Sequence, residues 1–288
     1  MKGGGQGQGR GTVVRGTTRV LALLGDPVDH SASPEIQNAA MAAAGVDGIY
    51  VALPTGAETL AGLLEGVARA GGGGNVTVPH KERAAQVVQR LTPEAERTGA
   101  VNTFWLEGGV VHGDNTDVEG FVRGLKALDP GLPEGARVLL AGAGGGARSS
   151  LVALLDQGAQ EVWVLNRTVG RARSLADALG RGRTRAVEAL EELSGTHFDL
   201  VVNATSLGLN PMDPEPVPLD HLGSVGAVKD LVYGDPPLVR HARERGITAL
   251  DGEEMLLQQG AVAFERWWGR EAPVAAMREA LAGRSRRP

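Results

Sequence analysis

From Arg19 onward, short apolar runs alternate with stretches of helical period, and this alternation limits the fold more than any bulk property does. Apolar runs at 20–24, 48–53 and 74–78 are each followed by a helical stretch, at 34–44, 60–70 and 81–90, and the series ends near 102–106. Such βα alternation predicts a mainly parallel sheet, because parallel neighbours need a long crossover and a helix supplies it. After Pro130-Gly131 the pattern restarts, with strands at 137–142, 161–165, 199–203 and 227–232 and helices at 147–157 and 171–179. That second series is Rossmann-like. Residues 253–268 place Leu256, Gly260, Ala263 and Trp267 on one helical face, so this helix needs a partner and is expected to return to the first unit. The expected fold class is α/β in two domains, residues 17–117 with 251–288 forming an N-terminal α/β domain with a mainly parallel sheet and 118–250 a Rossmann-type domain. Residues 1–16, rich in Gly, Gln and Arg, cannot offset their own ordering entropy and are expected to be a disordered tail.

Composition removes several function classes. A net charge of −5 with scattered Lys and Arg argues against nucleic acid as a partner. No apolar run approaches the ~20 residues of a membrane span, and the N-terminus lacks a secretory apolar segment, so a cytoplasmic protein without a membrane partner is expected. Cysteine is absent, which removes thiolate, disulfide and iron–sulfur chemistry. No metal site is expected, and any hydride chemistry needs an organic cofactor.

The strand at 137–142 runs into Gly142, Ala143, Gly144, Gly145, Gly146 and Ala147 at the mouth of a helix, a G-x-G-x-x-A pattern. Glycine there lets backbone amides approach a diphosphate, and the helix N-terminus adds unpaired N–H groups. A plain tight βα turn explains the same glycines. At the end of the next strand stand Asn166, Arg167 and Thr168, with Arg171 one turn on. NAD-binding folds commonly place a carboxylate there for the ribose 2′-hydroxyl; arginines suit a 2′-phosphate instead and favour NADP. Either arginine alone is equally readable as a solvated surface residue.

Polar residues collect where the first series ends its strands. Ser31 and Ser33 flank Ala32 before Pro34, although Ser33 could simply cap the following helix. Thr77 and Lys81 follow the strand at 74–78, where ligands bind in open α/β sheets. A lysine there can bind a carbonyl oxygen or exchange its proton, or it can be a surface residue opening a helix. Asn102, Asp114 and Asp117 lie where the units join. A carboxylate facing Lys81 would complete an acid–base pair, while Asp114 could cap a turn and Asp117 a helix at 118–128. Thr205 and Ser206 follow one strand of the second unit and Leu231 and Tyr233 another. Gln259 projects between Met255 and Ala263 and needs a partner if buried.

Taken in order, G-D-P-V-x-H-S-x-S-P, N-V-T-V-P-H-K, G-A-V-N-T, G-D-N-T-D, G-A-G-G, N-R-T, N-A-T-S-x-G and D-G-x-x-M-L-x-x-Q resemble the shikimate dehydrogenase family over residues 20–269. The resemblance implies NADP-dependent interconversion of 3-dehydroshikimate and shikimate, with Lys81 as acid–base, oriented by Asp117. It implies that Ser31, Ser33, Thr77, Asn102, Asp117, Tyr233 and Gln259 bind substrate. Gly142–Gly146 would hold the diphosphate, Asn166, Arg167, Thr168 and Arg171 the 2′-phosphate end, and Leu231 and Gly252 would flank the nicotinamide, with Thr205 and Ser206 lining that cleft. The pattern departs from the family's at Gln37, often His, at Gly260, usually Ala, and before Leu238, where a threonine is common. The alternatives are an NAD-using quinate/shikimate dehydrogenase, a catalytically idle NADP sensor, and a reductase of another polyol or amino-hydroxybenzoate. The expected assembly is a monomer or homodimer.

Overall fold

The computed structural model describes residues 14–128, 131–210 and 212–284, so residues 1–13 of the expected tail, and Pro130, lie outside the described residues. The first series forms β1 (Arg19–Gly25), α1 (Ser33–Ala44), β2 (Gly48–Pro54), α2 (Leu60–Arg69), β3 (Gly73–Val76), α3 (Lys81–Val87), β4 (Arg90–Leu91), α4 (Pro93–Thr98), β5 (Thr103–Glu107) and β6 (Val110–Asp114). Helix α5 (Thr116–Leu125) leads out of it. The second series forms β7 (Arg137–Ala141), α6 (Gly145–Asp156), β8 (Glu161–Leu165), α7 (Val169–Leu179), β9 (Thr184–Ala186), β10 (His197–Asn203), β11 (Ser224–Asp230), α8 (Pro237–Glu244) and β12 (Thr248–Leu250). Helices α9 (Glu253–Trp268) and α10 (Val274–Arg284) close the described chain.

The first sheet runs β2-β1-β3-β5-β6-β4. The sheet is mainly parallel, as expected: β2, β1 and β3 pair parallel, β4 pairs parallel with β6, and β5 alone runs antiparallel, against both β3 and β6. Strands β5 and β6 form a hairpin turning through Gly108 and Gly109, both at positive φ (58° and 79°), so no crossover helix is needed. The second sheet runs β12-β11-β10-β7-β8-β9 and is parallel throughout. Its strand order reverses beside β7, which opens a crevice at the strand C-termini.

Central strands are buried on both faces, and their period of two divides the core. On β1, Leu21 and Leu23 join one cluster with α1 and α9, while Ala22 and Leu24 join another with α2 and β5. On β7, Val138 and Leu140 face α5 and α6, and Leu139 and Ala141 face the opposite layer. Helix α9 does return to the first unit, packing on α5, α1 and α10. Among the described residues no helix is long and apolar enough to cross a membrane, and no group of three or more His, Asp or Glu could hold a metal ion.

Candidate active site

Lys81 is the first residue of α3, delivered by the loop after β3, and Asp117 lies in the first turn of α5. Lys81 Nζ donates to Asp117 Oδ2 at 2.6 Å. The carboxylate is nearly buried, its side chain 5% exposed against 17% for the lysine, so the lysine is the more accessible of the two. Asp117 does not cap α5; Asn115 does, its side chain accepting from Asp117 N at 3.2 Å. That leaves both oxygens of Asp117 available. Oδ1 accepts from Asn102 Nδ2 at 2.8 Å, and the same amide reaches Gln259 Oε1 at 3.4 Å. Gln259 is buried and donates to Leu256 O at 2.9 Å. Asn102 is itself fixed, its Oδ1 accepting from Thr116 N at 2.8 Å. The Asp114 carboxylate is not among these partners; it pairs with Arg266 Nε at 2.8 Å.

Ser33 is not a cap either. Ala32 occupies the N-cap position and makes no side-chain bond, and Ser33 begins α1 as a buried residue. Ser31 Oγ accepts from Ser33 N at 3.2 Å. Tyr233, from beyond β11, reaches this loop: its hydroxyl accepts from Ala32 N and donates to His30 O, both at 3.1 Å. Thr77 is half-buried at the end of β3, packed so closely on Gly25 that a Cβ there would collide with it.

The second wall is mostly backbone. Gly142 sits at φ +112°, and a Cβ there would come within 2.8 Å of Ala204 O. Gly144 caps α6 without a side-chain bond, no acidic residue stands in the first turn, and a Cβ on Gly144 would meet open space. Such a free, uncharged helix start fits a diphosphate. A Cβ on Gly145 would lie 2.8 Å from Lys81 Cβ, so this turn abuts the Lys81–Asp117 pair. Leu231 reaches the position of a Gly146 Cβ at 3.2 Å and also contacts Gly252, which brings these three together. Thr205 is tied to Asn203 Oδ1 through both its N (3.0 Å) and Oγ1 (2.7 Å), and Ser206 is exposed at the rim. Asn166 Nδ2 donates to Thr168 O at 2.9 Å. Arg167 is exposed and has no carboxylate partner among the described residues, whereas Arg171 lies 3.5 Å from Glu82 of the first unit.

One buried pair was not singled out in the sequence. Lys229 and Asp230 end β11; Nζ of the first and Oδ2 of the second have no hydrogen-bond partner. Burial pushes the Lys229 ammonium down to about 8 and the Asp230 carboxyl up to about 6. Lys229 Nζ lies 5.7 Å from the centre of the Phe121 ring on α5. An apolar strand pattern ending in Lys-Asp is the available signal, but strand ends usually face water.

Residues 23–104 match the family model of the shikimate dehydrogenase substrate binding domain, 130–212 that of shikimate / quinate 5-dehydrogenase, and 252–282 that of the shikimate 5′-dehydrogenase C-terminal domain. The shikimate dehydrogenase (NADP(+)) of Methanopyrus kandleri is 41% identical over 92% of this chain and 95% of its own length. This chain belongs to the shikimate dehydrogenase family. The corresponding protein of Rubrobacter xylanophilus is 43% identical over 94% of this chain and 98% of its own. The crystal structure of shikimate 5-dehydrogenase from Thermus thermophilus, in complex with NADP(H) and shikimate, superposes with a TM-score of 0.81 at 41% identity, covering 92% of this chain and 99% of that one.

Against the shikimate dehydrogenase pattern, the two departures at Gln37 and Gly260 turn out to touch. Gln37 Nε2 donates to Gly260 O at 2.8 Å, and a Cβ on Gly260 would stand 3.2 Å from that nitrogen and 3.1 Å from Ile36 Cδ1. The missing side chain at 260 therefore makes room for the glutamine, directly beside Gln259. Before Leu238, where the family's threonine is missing, Pro237 opens α8 after Asp235 at φ +61°.

Proposed function

We propose that the protein catalyses the reversible NADP-dependent reduction of 3-dehydroshikimate to shikimate, within the pathway that leads to chorismate and the aromatic amino acids. The observation that carries this reading is the Lys81–Asp117 pair lying against Gly145 of the dinucleotide turn, an acid–base couple at the edge of a cofactor cradle. Bound NADPH supplies the hydride to the C3 carbonyl. Lys81 gives the proton to the carbonyl oxygen as negative charge develops there, and takes it back from the hydroxyl in the oxidative direction. Asp117 holds the lysine in place, and Asn102, by bonding the other carboxylate oxygen, keeps Asp117 turned toward it.

In this reading Ser31, Ser33, Thr77, Asn102, Asp117, Tyr233 and Gln259 hold the substrate's hydroxyls and carboxylate. Gly142 to Gly146 take the diphosphate, and Asn166, Arg167, Thr168 and Arg171 take the adenosine 2′-phosphate. Thr205, Ser206, Leu231 and Gly252 border the nicotinamide. Residues 17–117 with 251–288 act as the substrate domain and 118–250 as the NADP domain. The enzyme works in the cytoplasm, as a monomer or homodimer, without nucleic acid or membrane.

The test is absorbance at the nicotinamide reduction band with shikimate or quinate, each paired with NADP⁺ or NAD⁺. Turnover dominated by shikimate with NADP⁺ is expected. Quinate with NAD⁺ as the best pair would move the chain to the quinate branch, and silence in all four pairings would point to a sensor or another substrate.

A further inference from the structure

The loop that carries Ser31 and leads into α1 at Ser33 lies outside any strand, and its backbone is held from elsewhere in the molecule. Arg284, in the last turn of α10, donates through Nη2 to His30 O at 2.7 Å and through Nη1 to Ser31 O at 2.8 Å. The same Nη1 reaches Glu35 Oε1 at 2.8 Å in the first turn of α1. A guanidinium presents its donors in a rigid fork, so two consecutive carbonyls gripped this way lose their freedom to rotate. The other anchor of the loop is the Tyr233 hydroxyl, which comes from the second unit. Arg284, by contrast, belongs to a helix packed on α1 itself and stays with the loop whatever the second unit does.

We propose that Arg284 is a positioning residue for substrate: by fixing the carbonyls of His30 and Ser31 it sets the direction in which the Ser31 and Ser33 hydroxyls face the cleft. The proposal rests on the reading of those serines as substrate-binding. Arg284 itself touches neither the Lys81–Asp117 pair nor the glycine turn. Its removal therefore weakens the hold on substrate while leaving cofactor affinity and the proton step in place. The Glu35 ion pair is half-exposed and contributes little by itself.

The experiment is steady-state kinetics of the full-length enzyme and of Arg284→Ala, Arg284→Lys, Glu35→Gln and Ser31→Ala. Shikimate is titrated at saturating NADP⁺ and NADP⁺ at saturating shikimate, with Tm measured alongside. Loss of two charge-assisted bonds in Arg284→Ala is expected to raise KM for shikimate about tenfold, with KM for NADP⁺ and kcat within about twofold. Arg284→Lys recovers part of the loss, and Glu35→Gln stays near wild type. An unchanged KM for shikimate in Arg284→Ala, with Ser31→Ala impaired, would overturn the proposal alone. Parallel rises in both KM values together with a lower Tm, or an equal defect in Glu35→Gln, would overturn it in favour of a merely structural contact. A silent Ser31→Ala would remove the reading of the loop and the proposal with it.

Discussion

The two walls of the cleft are built on opposite plans. On the first, side chains are locked to one another: Lys81 to Asp117, Asp117 to Asn102, Asn102 to Gln259 and to Thr116 N. On the second, the turn at 142–146 offers backbone and open space, and Arg167 has no ionic partner among the described residues. A wall of interlocked side chains is preorganised for one small molecule, and removing one group unsettles its neighbours. A wall of bare backbone is sensitive to the opposite change, the addition of atoms. Truncation should therefore hurt most on the first wall and insertion on the second.

The largest expected break is Lys81→Ala, which should lower kcat by about 10²–10⁴ while KM for shikimate moves far less. Near-normal kcat with a raised KM would make the lysine a binding group. Next comes Gly144→Ala. A methyl there meets nothing in the protein, so Tm should hold while KM for NADP⁺ rises by about tenfold or more, because the methyl enters the proposed diphosphate cradle. Unchanged cofactor affinity would place the diphosphate elsewhere. For Arg167→Ala, loss of a charge-assisted bond predicts a fall of about tenfold in kcat/KM with NADP⁺ and little change with NAD⁺. Equal losses with both cofactors would count against a 2′-phosphate contact.

The smallest effect concerns stability. Lys229 has a folded pKa near 8 against 10.5 in the open chain, so the unfolded chain binds more protons between those values. Stability should rise with pH across that window. Asp230 shifts the other way, from 3.8 to about 6, so the folded chain binds more protons there and stability should fall as pH rises through that interval. Lys229→Met should remove the alkaline rise and raise stability at neutral pH by about 1–3 kcal/mol, read as Tm against pH. A lower Tm at pH 7 would mean that the buried ammonium is compensated.

Two elements were legible from residues alone: β8 and α9 span 161–165 and 253–268 as the apolar pattern places them, and the structure ends the latter on Gly269 in the left-handed region. The one antiparallel strand of the first sheet, β5, was not, because a hairpin strand carries no marker of its direction. Within the site, Lys81 and Asp117 were readable as a possible couple. That Asn115 rather than Asp117 caps α5 was not, since both residue types cap equally well and only the tertiary pull of Lys81 and Asn102 decides between them. Arg284 was invisible for a related reason: it lies 254 residues along the chain from His30 and 253 from Ser31, the loop it holds, and no local spacing links them.

Helices α5 and α9, which carry the chain out of the first unit and back, lie against each other so closely that a Cβ on Gly120 would stand 2.6 Å from Gln259 Cβ. If the second unit turns about that crossing, the crossing is the axle. Gln259 and Asp117 ride beside the axle and travel least, while Arg167, past the end of β8 on the second sheet, moves with the unit that turns. The chemistry would then sit at the still centre of the motion, and the grip on the cofactor's tail would belong to the part that swings.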